Sequence, residues 1–384
     1  MFFLKFQVLI DCQSIEILKF CPIFGNSIEK TEYLFIVCIG KIGYSTPEYN
    51  PEKDKMKKRN LSIRIKSILA VCLLSVCGGH LFSAEAQTPW LQIKPEVKQR
   101  LGLVYEVVNV EIPGLKKEYE FIWISDLHVM APDVSEIQDE WKAAMIHRRD
   151  KRFNNPQSDL PPAAIWKQLP EILNHSNADA LFFGGDMCDT GSAANLTFLK
   201  SGFKQLTKPF IYLKEDHDIS PWHLISRDTS KQHAIAKEID GFPGLHCLEF
   251  DELMVLGYSY SVSHIKKPVL EKFKKLYRKA VDEKKAIILV QHVPISPEND
   301  PVLSKTHCWG GKMKTTFPTT AEYLKLVKAE NGPVKAVFCG HNHMVWDGMV
   351  TPTLYQHVFD GAFKGHIGII TVKPAKKGNE KAEK

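Results

Sequence analysis

From Gln87 onward, apolar residues fall into two alternating patterns along this 384-residue chain. Short apolar runs occupy Phe121–Ile124, Ala180–Phe183, Phe210–Leu213, Leu253–Leu256, Ala286–Val290, Ala336–Cys339 and Ile367–Val372. Their length and their β-branched or aromatic content predict buried strands. Between the runs, apolar side chains recur at helical spacing. Val134, Ile137, Trp141 and Met145 mark one face, Leu196, Leu199, Phe203 and Leu206 a second, and Val269, Phe273, Leu276, Tyr277 and Val281 a third. Alternating strands and helices predict an α/β layered fold. No internal repeat or long linker intervenes, so residues 87–373 read as one folded domain.

The segment before Gln87 has a different character. Lys57, Lys58 and Arg59 precede an apolar run from Ile68 to Cys77, and Ala84 and Ala86 form an A-x-A exit site. That three-part layout predicts a secretory signal peptide over residues 56–86, since the apolar run is too short to span a bilayer. Residues 1–55 show no period, and we read them as a mis-assigned upstream segment with translation starting at Met56. The expected product is exported, to the periplasm, the envelope or the medium. Acylation at Cys72 or Cys77 is disfavoured, because Val71 and Val76 stand where a lipoprotein signal carries a small residue. No transmembrane helix is expected in the mature chain.

Composition narrows the class. A chain with 44% hydrophobic and 24% charged residues is an ordinary globular protein. The net charge of +6 is small, and much of it lies in residues 57–66 and in the Lys-rich end, residues 374–384, which reads as a disordered solvated tail. No basic stripe interleaved with aromatics is visible, which argues against nucleic acid as a partner. Four of the nine cysteines fall in the mature region (Cys188, Cys247, Cys308, Cys339), too few for a disulfide scaffold and without C-x-x-C spacing.

Five polar clusters each follow an apolar run. Asp126 and His128 follow the first, and Asp186 lies in G-G-D-M-C-D after the second. Asp216, His217 and Asp218 follow the third, His292 follows the fifth, and His341 and His343 form G-H-N-H after the sixth. Carboxyl ends of strands in an α/β sheet share one edge, so these distant residues are delivered to one crevice. Mixed Asp and His donors suit borderline divalent metals such as Zn, Mn or Fe rather than all-oxygen Ca or Mg shells. The donors are too many for one ion and point to a pair.

In order, these clusters resemble those of the calcineurin-like metallophosphoesterase superfamily, D-x-H, G-D-x-x-D, G-N-H-[DE], a later His and G-H-x-H, over residues 119–345. The resemblance implies a β-sandwich flanked by helices in α-β-β-α layers and hydrolysis of a phosphate mono- or diester. Asp126, His128 and His343 would hold a first metal, Asp216, His292 and His341 a second, and Asp186 would bridge them. Attack would come from a water made acidic by both cations. His217 would contact the phosphate and protonate the leaving group, Asp218 would hold its ring, and Asp189 would be a structural hydrogen-bonder. One departure stands out: the family's G-N-H-[DE] is Glu215-Asp216-His217-Asp218 here. Counting a bound hydroxide, an ionised Asp216 takes the cluster from formally +1 to neutral. That favours a monoanionic diester, or slower turnover, over a fast monoesterase. It also leaves open a metal-binding module that recognises a phosphorylated glycan, lipid or nucleotide without turnover. Trp222, His223, His307 and Trp309 are placed to shape a pocket for a small or polymeric phosphoester, as is the basic run Arg148, Arg149, Lys151 and Arg152.

Overall fold

The computed structural model describes residues 18–20, 33–35, 93–241, 243–259, 264–313 and 317–375. The chain divides into two units, Met1–Glu85 and Ala86–Lys384. In the first, Leu18–Phe20 pairs antiparallel with Tyr33–Phe35. The signal peptide, the rest of residues 1–55 and the end of the basic tail lie outside the described residues.

The second unit holds two mixed sheets. The first contains β1 (Val104–Ile112), β2 (Tyr119–Ile124), β3 (Ala180–Phe183), β4 (Phe210–Tyr212) and β11 (His366–Pro374), in the order β1-β11-β2-β3-β4. The second contains β5 (Leu245–Glu249), β6 (Leu253–Tyr258), β7 (Ala286–Gln291), β8 (Val334–Cys339), β9 (Trp346–Thr351) and β10 (Leu354–Val358), ordered β9-β10-β8-β7-β6-β5. Strands β2, β3 and β4 run parallel, as do β6, β7, β8 and β10.

Successive side chains point to opposite faces of a strand, and here both faces are covered. Phe121, Trp123, Phe182 and Ile211 of the first sheet meet Val255, Ile288, Val290 and Phe338 of the second in one buried cluster between the sheets. Their neighbours Ile122, Ile124, Leu181 and Phe183 face outward, under Ile165 and Trp166 of α3 (Pro162–Trp166) and Leu196 and Leu199 of α5 (Ala193–Phe203). Helix α1 (Pro95–Leu101) and helix α4 (Leu169–Asn174) complete that layer. On the far side, Ile287 and Leu289 lie under α8 (Lys267–Asp282) and α9 (Pro318–Val327). The result is the α-β-β-α sandwich that the resemblance implied, and it agrees with the α/β layering read from the pattern. Among the described residues, no helix is long and apolar enough to cross a membrane.

Three helical readings shift. Val134 and Ile137 precede helix α2 (Asp139–His147), and Trp141 is 41% exposed, because Ile137 forms a bridge with Leu224 instead of extending the helix. In α8, Ala280 is buried and Val281 is not, which keeps the apolar stripe in phase with Phe273. Leu206 lies beyond the end of α5 yet still packs on that core. Strand β11 also continues through Pro374, one residue into the stretch read as tail.

Candidate metal centre

Six of the seven expected donors stand on loops just beyond β2, β3, β7 and β8, and Asp216 opens a short helix just beyond β4. These loops bend sharply. Of the eight non-glycine residues with left-handed backbone among the described residues, five are Asp126 (φ 53°), His128 (φ 53°), Asp186 (φ 51°), His341 (φ 73°) and His343 (φ 48°). Asp and His tolerate this region better than most residues, and such strain gathers where a structure must aim side chains at one point. Gly340 is needed beside them: a Cβ there would collide with Asp126 Oδ2 and Ser125 Oγ.

Two donor groups result. In the first, His343 Nε2 lies 3.2 Å from Asp126 Oδ1 and 3.2 Å from His128 Nε2. In the second, His292 Nε2 lies 3.1 Å from Asp186 Oδ2 and 3.1 Å from His341 Nδ1. His292 Nε2 is also 3.8 Å from Asp126 Oδ1, so the groups adjoin. Asp216 shares a third set with Asp186 and His217, all within 4.8 Å of one another.

The hydrogen bonds orient these donors inward. Nδ1 of His292 is 2.8 Å from the Gly184 carbonyl, which fixes the proton there and frees Nε2. Nδ1 of His128 forms no hydrogen bond of good geometry but lies 3.3 Å from Asp189 Oδ1, within ion-pair reach of a carboxylate of the kind that backs metal-binding histidines. The backbone N–H of His341 donates to Asp126 Oδ2 at 3.1 Å.

Burial tests whether this set suits cations. Asp126 and His292 are fully buried and Asp186 nearly so. Asp126 Oδ1 and Asp186 Oδ1 are nevertheless without hydrogen-bond partners, and leaving such oxygens dry and unpaired is costly. Burial would raise both acids, but the charge on His292 holds them well below the usual carboxylate range. Burial would lower His292, but Asp186 and Asp126 push it well above its ordinary value. Burial and the neighbouring His292 charge push His341 down to about 4. The proton on His292 thus balances the carboxylates, and divalent cations would displace it. By donor type, orientation and orphaned oxygens the residues fit divalent metal ions.

His217 sits beside this cluster, its ring 5.0 Å from that of His128 and 5.9 Å from Trp222. Its Nδ1 is 2.8 Å from the Asp189 carbonyl. Burial would lower His217, yet Asp186, that carbonyl, Asp189 and Asp216 raise it. The role expected of Asp218 is therefore corrected. Its carboxylate accepts from the backbone N–H groups of Asp186, Cys188 and Glu215 and from the Tyr212 hydroxyl, so it is spent on holding loops and does not reach the His217 ring. Burial and the nearby Asp186 push it up to about 7. Asp189 holds the ring in its place.

Trp309 is a second correction. It is 1% exposed, packed edge-on against Tyr323 in the core under the second sheet, so it forms no pocket wall. His307 is exposed beside Thr306, whose hydroxyl accepts from Asn342 of the G-H-N-H loop. Trp222 is 48% exposed next to His217, and His223 lies 4.7 Å from the Trp141 ring.

Sequence reasoning missed two supports. Phe153 stacks on His128 at 4.3 Å with rings 7° apart. The loop after β10 also reaches the site, where Ala362 and Phe363 donate backbone hydrogen bonds to Ser125 and Asp126 and Lys364 Nζ donates to the His343 carbonyl. Reading Leu354–Val358 as a strand would have exposed this further strand exit. The four described cysteines are free, and Cys188, Cys308 and Cys339 are buried packing residues.

The calcineurin-like phosphoesterase family profile matches residues 119–345, more than half of the chain. Comparison with curated proteins gives no match. Similar solved structures include a dimetal phosphatase from Danio rerio (10% identity, 64% of this chain and 88% of that one, TM-score 0.39). Others are a purple acid phosphatase from yellow lupin seeds (10% identity, 67% and 44%, TM-score 0.38) and a 5'-nucleotidase from Candida albicans (14% identity, 66% and 48%, TM-score 0.36). This chain spans under half the length of those last two.

Proposed function

Because the chain belongs to the calcineurin-like phosphoesterase family, whose members are metal-dependent phosphoric ester hydrolases, we propose that it is an exported phosphoesterase working with two divalent ions. The observation that carries this reading is the contact between the two donor groups, His292 Nε2 lying 3.8 Å from Asp126 Oδ1. Each of the adjoining groups would hold one divalent ion. When bound, the ions supply Lewis acidity toward the phosphate oxygens and an acidified water.

The chain's own residues then have defined tasks. Asp126, His128 and His343 would hold one ion, His292, His341 and Asp216 would hold the other, and Asp186 would contribute to both. His217, fixed through Nδ1 on the Asp189 carbonyl, keeps Nε2 free to protonate the leaving oxygen. Trp222, its ring 5.9 Å from that of His217, is placed to meet the leaving group, with His223 beside it in sequence. With Asp216 in the family's Asn position, the substrate we favour is a diester or a slowly turned-over monoester. The Glu215-Asp216 departure also supports a second reading, a metal-binding module without turnover.

Elemental analysis of purified protein, run beside a chromogenic mono- and diester panel with added manganese, zinc or iron, tests both. Two equivalents of metal with turnover support the hydrolase; metal without turnover selects the module; no metal binding sinks both. N-terminal sequencing of protein from the native host tests export. Peptides from residues 1–55 would sink the start at Met56, and an uncleaved residue 56–86 segment would sink the signal peptide.

A further inference from the structure

Between the first and second strand exits, α2 continues into one turn of π-helix at Arg148–Arg152. Such turns recur at functional sites because they re-aim side chains. Arg148 reaches back from it to Asp189. Nε donates to Oδ2 at 2.7 Å, and Nη2 pairs with Oδ1. The Asp189 side chain is fully buried, and the Arg148 side chain is 21% exposed. The guanidinium also lies 5.1 Å over the Phe153 ring, which itself stacks on His128.

Asp189 is the point where the two halves of the site meet. Oδ1 is 3.3 Å from His128 Nδ1 and 3.8 Å from His217 Nδ1, while its carbonyl is 2.8 Å from His217 Nδ1. A buried carboxylate between two imidazoles could rotate toward either. A bidentate guanidinium fork fixes its plane, which a single ammonium does not do. Two of the guanidinium nitrogens are committed to Asp189, so the side chain serves that residue first.

We propose that Arg148 is a positioning residue: by locking Asp189 it sets the His217 ring against the leaving oxygen of the ester. This rests on the hydrolytic reading above. In that reaction the water oxygen bonds to phosphorus as the ester P–O bond breaks. The leaving oxygen keeps the bonding electron pair and takes the proton from His217 Nε2. The proton lost by the water goes to solvent, and His217 is reprotonated from solvent. An alkoxide requires that proton to depart, whereas a 4-nitrophenolate departs without it.

The test uses the full chain, loaded with manganese, as wild type, Arg148→Ala and Arg148→Lys. Turnover of a methyl ester and of a 4-nitrophenyl ester of the same phosphate class is compared, with metal content and melting temperature measured on each protein. In Arg148→Ala the methyl ester should lose about 10–100-fold in kcat, while the 4-nitrophenyl ester loses less than about threefold. At saturating manganese the metal content should stay level, and added guanidinium should restore methyl-ester turnover in Arg148→Ala alone. Arg148→Lys, which keeps the charge without the fork, should show the same leaving-group split in weaker form. Equal losses on both esters, no loss on either, or a loss that follows metal content would overturn the role. A wild type that turns over neither ester removes the hydrolytic reading and this role with it.

Discussion

Replacing Asp216 with Asn isolates the charge that sets this chain apart. The side chain begins the short helix α6 (Asp216–Ile219), where Oδ1 accepts from the His217 N–H at 2.9 Å. Asn keeps that acceptor and nearly the same shape, so the substitution removes one unit of charge and little else. The lost charge lies within 4.8 Å of donor atoms of Asp186 and His217, against the cation side of the site. At an effective dielectric of about 20, a unit charge about 6 Å from the phosphorus is worth roughly 2.8 kcal/mol per unit of substrate charge. A monoester dianion carries one more unit than a diester monoanion, so the substitution favours the monoester by that difference. Asp216 is only half-buried, and solvent and salt screening halve the figure to about 1.4 kcal/mol, a tenfold change. The assay is kcat/KM for 4-nitrophenyl phosphate and bis(4-nitrophenyl) phosphate at saturating manganese and fixed ionic strength. The monoester-to-diester ratio should rise about tenfold in Asp216→Asn. A ratio that stays level or falls, with metal sites full, would refute the electrostatic argument.

Three further outcomes follow from the geometry. Chelation should lower the melting temperature by about 10 °C or more, since two ions each at a hundred times their Kd contribute about 2.7 kcal/mol apiece. An unchanged melting curve after chelation and manganese return would show that the orphaned Asp126 and Asp186 oxygens hold no cation. Gly340→Ala should reduce metal affinity at least about tenfold with the fold intact, because the new methyl displaces Asp126; full metal content in the variant speaks against it. The Glu106 carboxylate joins the sheets by accepting from His357 and His366, and although burial would raise its pKa, those bonds hold it below the ordinary value. Its stabilisation is therefore present above the unfolded glutamate pKa and lost as pH falls through the lower folded value. Glu106→Gln should cost about 2 kcal/mol at neutral pH, and the gap from wild type in thermal melts should close in acid; a gap that widens in acid would contradict this sign.

Local chemistry made the sandwich and its donors legible. Strands such as Ala180–Phe183 are covered on both faces, so they read as unbroken apolar runs, and five of the seven runs are followed by a residue type that binds metals. The strands that escaped notice, β1, β5, β9 and β10, include three of the four edges of the two large sheets and mix polar residues into the alternation, as the largely uncovered Trp346–Thr351 hairpin arm shows. Their pairing supplies what their composition lacks. The exchange of roles between Asp218 and Asp189 was likewise hidden, because adjacency to His217 in sequence is not adjacency to its ring.

Order of residues along the chain therefore settles which atoms are on offer and at which strand ends they emerge, since both depend on near neighbours. Folding alone decides which of them touch. Trp309 turned into the core, Arg148 crossing to a carboxylate 41 positions away, and Asp218 spent on three backbone amides all depend on segments that meet only when the sheets stack. Side-chain roles at this site are set by through-space distance and burial, and neither is a property of spacing along the chain.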